Sequence, residues 1–206
     1  MKLIWHGHAC FELISSEGSI VFDPYTPNYI EGLALPPLSA DLYLCSHGHA
    51  DHNCADAVAK TGHIPTFTVS QFFTFHDDCM GTKRGFNMAS IVETEGMRVL
   101  HCGDLGHMLT PEVVSSLGKI DVIMIPVGGT YTVDAKVAKE ICDALKPSMI
   151  IPMHYKGDGI GLQNIAPVDD FTALFPEDVV EYLPTNELTV ESIEKPCVKV
   201  FAWPTK

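Results

Sequence analysis

Ser46-His47-Gly48-His49-Ala50-Asp51-His52 is the stretch on which the reading of this chain turns. Its imidazoles and carboxylate are crowded into adjacent positions, where each would need its own partner once removed from water. A metal is the simplest partner for all of them. The residues before it, Leu42-Tyr43-Leu44-Cys45, are short and apolar and read as a buried strand, so the histidines begin where that strand ends. The residues after it, Asn53 to Lys60, read as a helix with Asn53 at its N-cap. On such a strand-to-helix turn, side chains from alternate positions fold toward one point, and His52, next to Asp51, reaches a second point close by. That suits two adjacent ions better than one. Nitrogen and carboxylate donors without thiolate suit Zn2+, with Mn2+, Fe2+ and Ni2+ as substitutes.

Outward from this stretch, Lys2 to His6, Ala9 to Ile14 and Ser19 to Phe22 predict an antiparallel meander, its turns at Gly7-His8 and Glu17-Gly18. The Pro-rich segment from Pro24 to Pro37 is a loop, placed to form part of a mouth or lid. Strands are expected from Ile64 through Phe75, and a hairpin over Ala89–Glu93 and Met97–His101 turns at Glu95-Gly96. Thr110-Pro111-Glu112 opens a short helix that Gly118 ends. Asp121 to Val127 is nearly continuous apolar sequence, as in a strand buried on both faces. Asp134 to Leu145 has helical spacing, Ser148 to Ile151 is a strand, Val168 to Phe175 a last helix, and strands over 179–183, 187–190 and 197–202 finish the chain. No linker or repeat divides it, so one domain over 1–206 with alternating strands and helices is expected. His76, Asp104 and His154 each follow a strand-like segment, as the first cluster does, and are the candidates to complete a metal shell.

Composition narrows the partners. The chain has 206 residues, 46% of them hydrophobic, and a formal net charge of -13 with no basic block. Polynucleotide affinity rests on clustered Lys and Arg, so a nucleic-acid partner is disfavoured. No run of some 18 apolar residues could span a bilayer, and the start lacks the features of a secretory signal. The seven cysteines form no C-x-x-C pair, which argues for reduced thiols and a cytoplasmic location. A small-molecule substrate is expected, and a homo-oligomer stays open.

These residues resemble the metallo-β-lactamase superfamily. The H-x-H-x-D-H signature stands as His47, His49, Asp51 and His52, followed in order by His76, Asp104 in a Gly-Asp pair, and His154. The His6-Gly7-His8-Ala9-Cys10-Phe11, Phe22-Asp23-Pro24 and His101-to-His107 stretches are most similar to small bacterial metal-dependent hydrolases of the ascorbate-6-phosphate lactonase type. The resemblance implies an α/β, four-layer αββα sandwich with a dinuclear site at one edge of two sheets. It implies that His47, His49 and His76 hold the first metal and Asp51, His52 and His154 the second, with Asp104 bridging. The interval from His52 to His76 is shorter than in larger members; His101, His107 and His63 compete with His76, and His107 is the most serious rival.

Paired divalent ions lower the pKa of a shared water and stabilise a developing oxyanion, so the nucleophile is expected to be a metal-bridging hydroxide. Asp51 is the candidate to orient it and move its proton. His8 and Asp23 are candidates to buttress the ligands or touch substrate, His107 likewise, and Lys156 to anchor an anionic group. The expected activity is hydrolysis of a small polar ester, lactone or phosphoester. Its rivals are a metal-binding or sensing domain without chemistry, a di-iron redox enzyme, and a nuclease.

Overall fold

The computed structural model describes residues 1–204. Its strands are β1 (Lys2–Trp5), β2 (Phe11–Ser15), β3 (Gly18–Phe22), β4 (Leu38–Ala40), β5 (Leu42–Leu44), β6 (Val58–Lys60), β7 (Thr68–Phe75), β8 (Phe86–Thr94), β9 (Met97–His101), β10 (Val122–Pro126), β11 (Met149–Met153), β12 (Val180–Tyr182), β13 (Glu187–Thr189) and β14 (Cys197–Val200). Its α-helices are α1 (Pro111–Leu117), α2 (Ala135–Leu145) and α3 (Asp169–Thr172).

Two sheets carry the fold. A five-stranded sheet runs β13-β1-β2-β3-β5 and a seven-stranded sheet β12-β14-β11-β10-β9-β8-β7. The expected meander is present, since β2 pairs antiparallel with both β1 and β3. Alternation along β3 shows how the layers stack: Ile20 and Phe22 join the main core, whereas Val21 joins a second core on the other face. Strand β10 is buried at every position, as its unbroken apolar run requires of a strand covered on both faces. Helix α2 starts at Asp134, whose side chain accepts from the Val137 N–H, and it buries Ala138, Ile141 and Leu145 in the main core. Thr110 caps α1 in the same way and Gly118 ends it.

The mixed sheets match the expected sandwich, with one outer layer built differently. Over the five-stranded sheet the second core is closed by Tyr25, Ile30, Leu33 and Leu35 of the Pro-rich loop and by Leu38, Ala40 and Val58 of a small ribbon, β4 paired with β6. The helix expected from Asn53 is therefore a single 3-10 turn, Ala55–Ala57, that lacks a side-chain cap and gives way to β6. Burial of Val58 against Leu38 outweighs the weak helix preference of so short a segment. The strand expected from Ile64 begins only at Thr68: Pro65 has no N–H to give a ladder, and Ile64 stays 82% exposed. The last helix is cut to Asp169–Thr172, short of Phe175 and the following Pro176. No helix among the described residues is long and apolar enough to cross a membrane.

Strands β3 and β5 run parallel, as do β9, β10 and β11, while β7 shares that direction through two antiparallel steps. Their C-terminal ends therefore release Asp23, the 46–52 stretch, His76, Asp104 and His154 along one edge.

Candidate metal centre

Asp104 sits at the middle of that edge, fully buried. Its Oδ2 lies 3.3 Å from His76 Nε2, 3.3 Å from His154 Nε2 and 4.0 Å from His47 Nε2, and its Oδ1 lies 3.2 Å from His52 Nε2. Around it, donor atoms fall into groups within metal-sharing distance: His47, His49 and His76; His47, His52 and Asp104; and His8, Asp51, His52 and His154. All seven residues predicted as ligands are brought together, and His8 joins them. Its Nε2 is 3.4 Å from Asp51 Oδ2 and its ring centroid 4.0 Å from that of His154. His8, expected to support the ligands or touch substrate, offers a ring nitrogen to the last of these groups.

The other candidates divide. Asp23 is buried and accepts three hydrogen bonds: Oδ2 from His52 Nδ1 (2.7 Å) and from Ser46 Oγ (2.7 Å), and Oδ1 from the Ser46 N–H (2.6 Å). Ser46 Oγ in turn is 3.0 Å from His47 Nδ1. One carboxylate thus fixes two imidazoles, His52 directly and His47 through a hydroxyl, turning their Nε2 atoms toward Asp104. His107 stands outside the cluster, where its Nε2 accepts from the Phe75 N–H and supports the residue before His76. His101 is buried beneath the site, its ring stacked on Phe22 at 4.8 Å, and His63 is a surface partner of Asp41. Among the four, His76 alone faces Asp104. Lys156 does not reach the cleft: its ammonium donates to the Gln163 carbonyl.

Two residues that build the centre, Asn87 and Tyr131, carried no sequence signal. Asn87, fully buried, accepts from the Asp104 N–H through Oδ1 while its amide donates to Thr74 Oγ1 and the Cys102 carbonyl. The Tyr131 carbonyl accepts from His76 Nδ1 at 3.2 Å. Gly103, at φ 55, leaves no room for a side chain: a Cβ would lie 2.4 Å from Asn87 Oδ1 and 2.5 Å from Ser46 Cβ. His8, Asp23 and His154 all have positive φ, at 54°, 46° and 53°. Such strain at non-glycine residues persists where surrounding contacts over-determine the backbone, as they do at functional sites.

The electrostatics test whether metal fits. His8 Nδ1 and Nε2, His47 Nε2, His52 Nε2, Asp104 Oδ1 and both ring nitrogens of His154 are buried without a hydrogen-bond partner, an arrangement that would be costly in a finished protein interior. Burial holds the His8 imidazole down at about 3, aided by His154, and His47 at about 4, aided by His52. Both therefore keep a free lone pair at neutral pH. Burial would raise the carboxyl of Asp104, but His154 and His52 pull it well below the usual range; burial likewise opposes, and His8 and His52 outweigh it, at Asp51. Free lone pairs on His8 and His47 beside ionised, dehydrated carboxylates, with further nitrogens of His52 and His154 unpartnered, make a donor set that divalent cations fit.

The centre opens into a cleft of about 560 Å³ lined by Tyr29, His49, Asp51, His76, Arg84, Asp104, Tyr131 and Leu162. Residues 2–154 match the family model of a beta-lactamase superfamily domain. The chain belongs to the metallo-β-lactamase superfamily. Among its relatives in this superfamily is a protein of Thermoplasma acidophilum named as a UPF0173 metal-dependent hydrolase, 31% identical over 188 residues, covering 75% of this chain and 83% of that one. A solved structure from Thermotoga maritima, named as a candidate zinc-dependent hydrolase of the superfamily, is 37% identical, with a TM-score of 0.77 and 97% of each chain covered. The metallo-hydrolase Igni18 of Ignicoccus hospitalis, 20% identical with a TM-score of 0.68, covers 100% of this chain and 96% of its own and shares the fold.

Proposed function

We propose that this metallo-β-lactamase superfamily member is a metal-dependent hydrolase that holds two divalent cations, Zn2+ foremost, and cleaves an ester, lactone or phosphoester in a small polar molecule. The observation that carries this reading is the set of unpartnered, buried donor atoms facing one another across Asp104. His47, His49 and His76 would hold one ion, and Asp51, His52 and His154 the other with His8 beside them; Asp104 stands between. When bound, such a pair supplies Lewis acidity, making water nucleophilic near neutral pH and stabilising charge on the oxygen of the scissile group.

The protein's part is to position donors and move a proton. Asp51 lines the cleft, where its carboxylate would take a proton from the attacking water and pass it to the leaving group. His8 Nε2 lies 3.4 Å from Asp51 Oδ2, beside that carboxylate at the rim of the same donor group. Asp23 and Ser46 hold His52 and His47 in the tautomers that present Nε2 inward. The cleft volume suits a small molecule, and the acidic surface disfavours a polynucleotide.

The test is removal and return of metal. Purified protein is expected to contain two equivalents by elemental analysis, and a panel of lactones, carboxylic esters and phosphodiesters should reveal turnover that chelation abolishes and Zn2+ restores. Full activity after exhaustive chelation, verified by elemental analysis, would refute the proposal.

A further inference from the structure

His76 and Arg84 are the two ends of one rigid turn. The carboxylate of buried Asp77 accepts backbone N–H groups from Cys79, Gly81, Lys83 and Arg84 at 2.8–2.9 Å, fixing the segment between them. A second segment grips both ends through successive carbonyls: Tyr131 O accepts from His76 Nδ1, and Thr130 O accepts from Arg84 Nη2 at 2.7 Å. The Arg84 guanidinium also lies over the Tyr131 ring, 5.5 Å from its centroid. Arg84 is therefore held relative to the candidate metal centre by the same backbone that holds His76.

Among the described residues no carboxylate pairs with its charge. A guanidinium carries five N–H donors, and at Arg84 the Thr130 carbonyl takes one. The chain's only other arginine, Arg98, is engaged by Glu93 and by the carbonyls of Leu117 and Lys119. In a chain of net charge -13, an arginine left unpaired on the wall of a cleft, with Asp51 and Asp104 in the same wall aimed at the metal centre, is matched to an anion that arrives from outside. Arginine's planar fork suits the paired oxygens of a carboxylate or phosphate.

We propose that Arg84 is the substrate-recognition residue of this cleft, and that the substrate bears a carboxylate or phosphate group separate from the bond that is cut, its body lying against Tyr131 and Tyr29. This rests on the hydrolase reading for the chemistry at the ions, but the binding it asserts is measurable without turnover. Zinc-loaded wild type, Arg84→Gln, Arg84→Lys and Lys83→Gln are titrated calorimetrically with phenyl phosphate and with phenylacetate. A charge-assisted, two-point contact predicts affinity for the favoured anion roughly ten- to a hundredfold weaker in Arg84→Gln, intermediate in Arg84→Lys, and near wild type in Lys83→Gln, which removes the same charge from an exposed residue paired with Asp78. The tighter of the two probes identifies the anion as phosphate or carboxylate. Metal content is measured on every variant, and Arg84→Lys decides the matter if Arg84→Gln loses its zinc.

A paired kinetic arm compares mono-(4-nitrophenyl) glutarate with 4-nitrophenyl butyrate, where Arg84→Gln should lower the ratio of their kcat/KM values by a similar factor. Equal affinity of wild type and both Arg84 variants for the two anions, or absence of binding to wild type, overturns the assignment. Inactivity of zinc-loaded wild type toward both esters counts against ester hydrolysis and leaves the calorimetry to decide Arg84.

Discussion

Replacing Asp23 with asparagine should loosen metal without emptying the cleft of any predicted ligand. The substitution keeps side-chain volume, and asparagine tolerates the left-handed backbone that Asp23 adopts at φ 46. Its carbonyl can still accept from the Ser46 N–H, but its amide would face two donors, His52 Nδ1–H and Ser46 Oγ–H, each 2.7 Å from the present carboxylate. Charge-assisted hydrogen bonds of this kind contribute about 1.5–3 kcal/mol each. With two lost, and part of that offset because a buried carboxylate no longer needs desolvating, a net loss of about 3 kcal/mol is expected. For a chain of this length that lowers the Tm of the metal-free protein by about 6–12 °C. Without an acceptor at Nδ1, His52 can place its proton on Nε2, the nitrogen that faces Asp104, and such outer contacts typically govern affinity by about 10- to 100-fold. Competition against a chromophoric chelator would measure this. Ser46→Ala, which removes the hydroxyl between His47 and Asp23 but leaves the His52–Asp23 bond in place, should weaken one equivalent more than the other. Two equivalents of zinc bound by Asp23→Asn with wild-type affinity would refute the argument that this carboxylate orients both imidazoles.

Asp51→Ala should cut turnover by about 10²–10⁴-fold, the usual worth of a positioned acid–base group, while far-ultraviolet circular dichroism stays close to wild type; turnover within tenfold of wild type would remove Asp51 from its role. Gly103→Ala forces a Cβ against Asn87 and Ser46 at a left-handed position, and overpacking there should cost about 2–4 kcal/mol; an unchanged Tm would show that the Asn87 and Ser46 contacts yield freely. Acid should destabilise the metal-free protein well above the carboxylate range. His8, His47, His76 and His101 have lowered values in the native state, so between those values and about 6.5 the unfolded chain holds protons the native chain does not. Their contribution is complete above about 6.5 and declines as pH falls. His52, raised mainly against burial by Asp104 and Asp23, works in the opposite sense, its contribution being lost as pH rises through its native value. The lowered groups outnumber the raised one, so the chelated protein should melt earlier at pH 5 than at pH 7, with a slope of up to about 1.4 kcal/mol per pH unit for each uncompensated group; equal melting temperatures would overturn this.

What the sequence determined by itself was whatever chemistry is local along the chain. Four donors in the 47–52 stretch must share one neighbourhood whatever the fold does, so a metal was implied before any strand was placed. The strands β10 and β11 and the helices α1 and α2 were equally readable, because apolar periodicity, Thr110 at an N-cap and Gly118 at a terminus act over a few residues. Where a segment's state depended on a distant partner, the reading failed: Val58 became a strand because Leu38 lies beside it, a contact across twenty residues. The centre itself shows the same division. His76 and His107 are indistinguishable by type and neighbourhood in the sequence, and only the packing of β7 beside the 103–107 turn sends one toward Asp104 and the other to the Phe75 N–H. Lys156 was named as the anchor and Arg84 was not, since a long cation's direction is set by the carbonyl that catches it, Gln163 in one case and Thr130 in the other. Tertiary structure alone decided which polar atoms were left without partners, because a hydrogen bond is completed or denied by groups brought from elsewhere in the chain, and it is those denied at the sheet edge that leave room for ions.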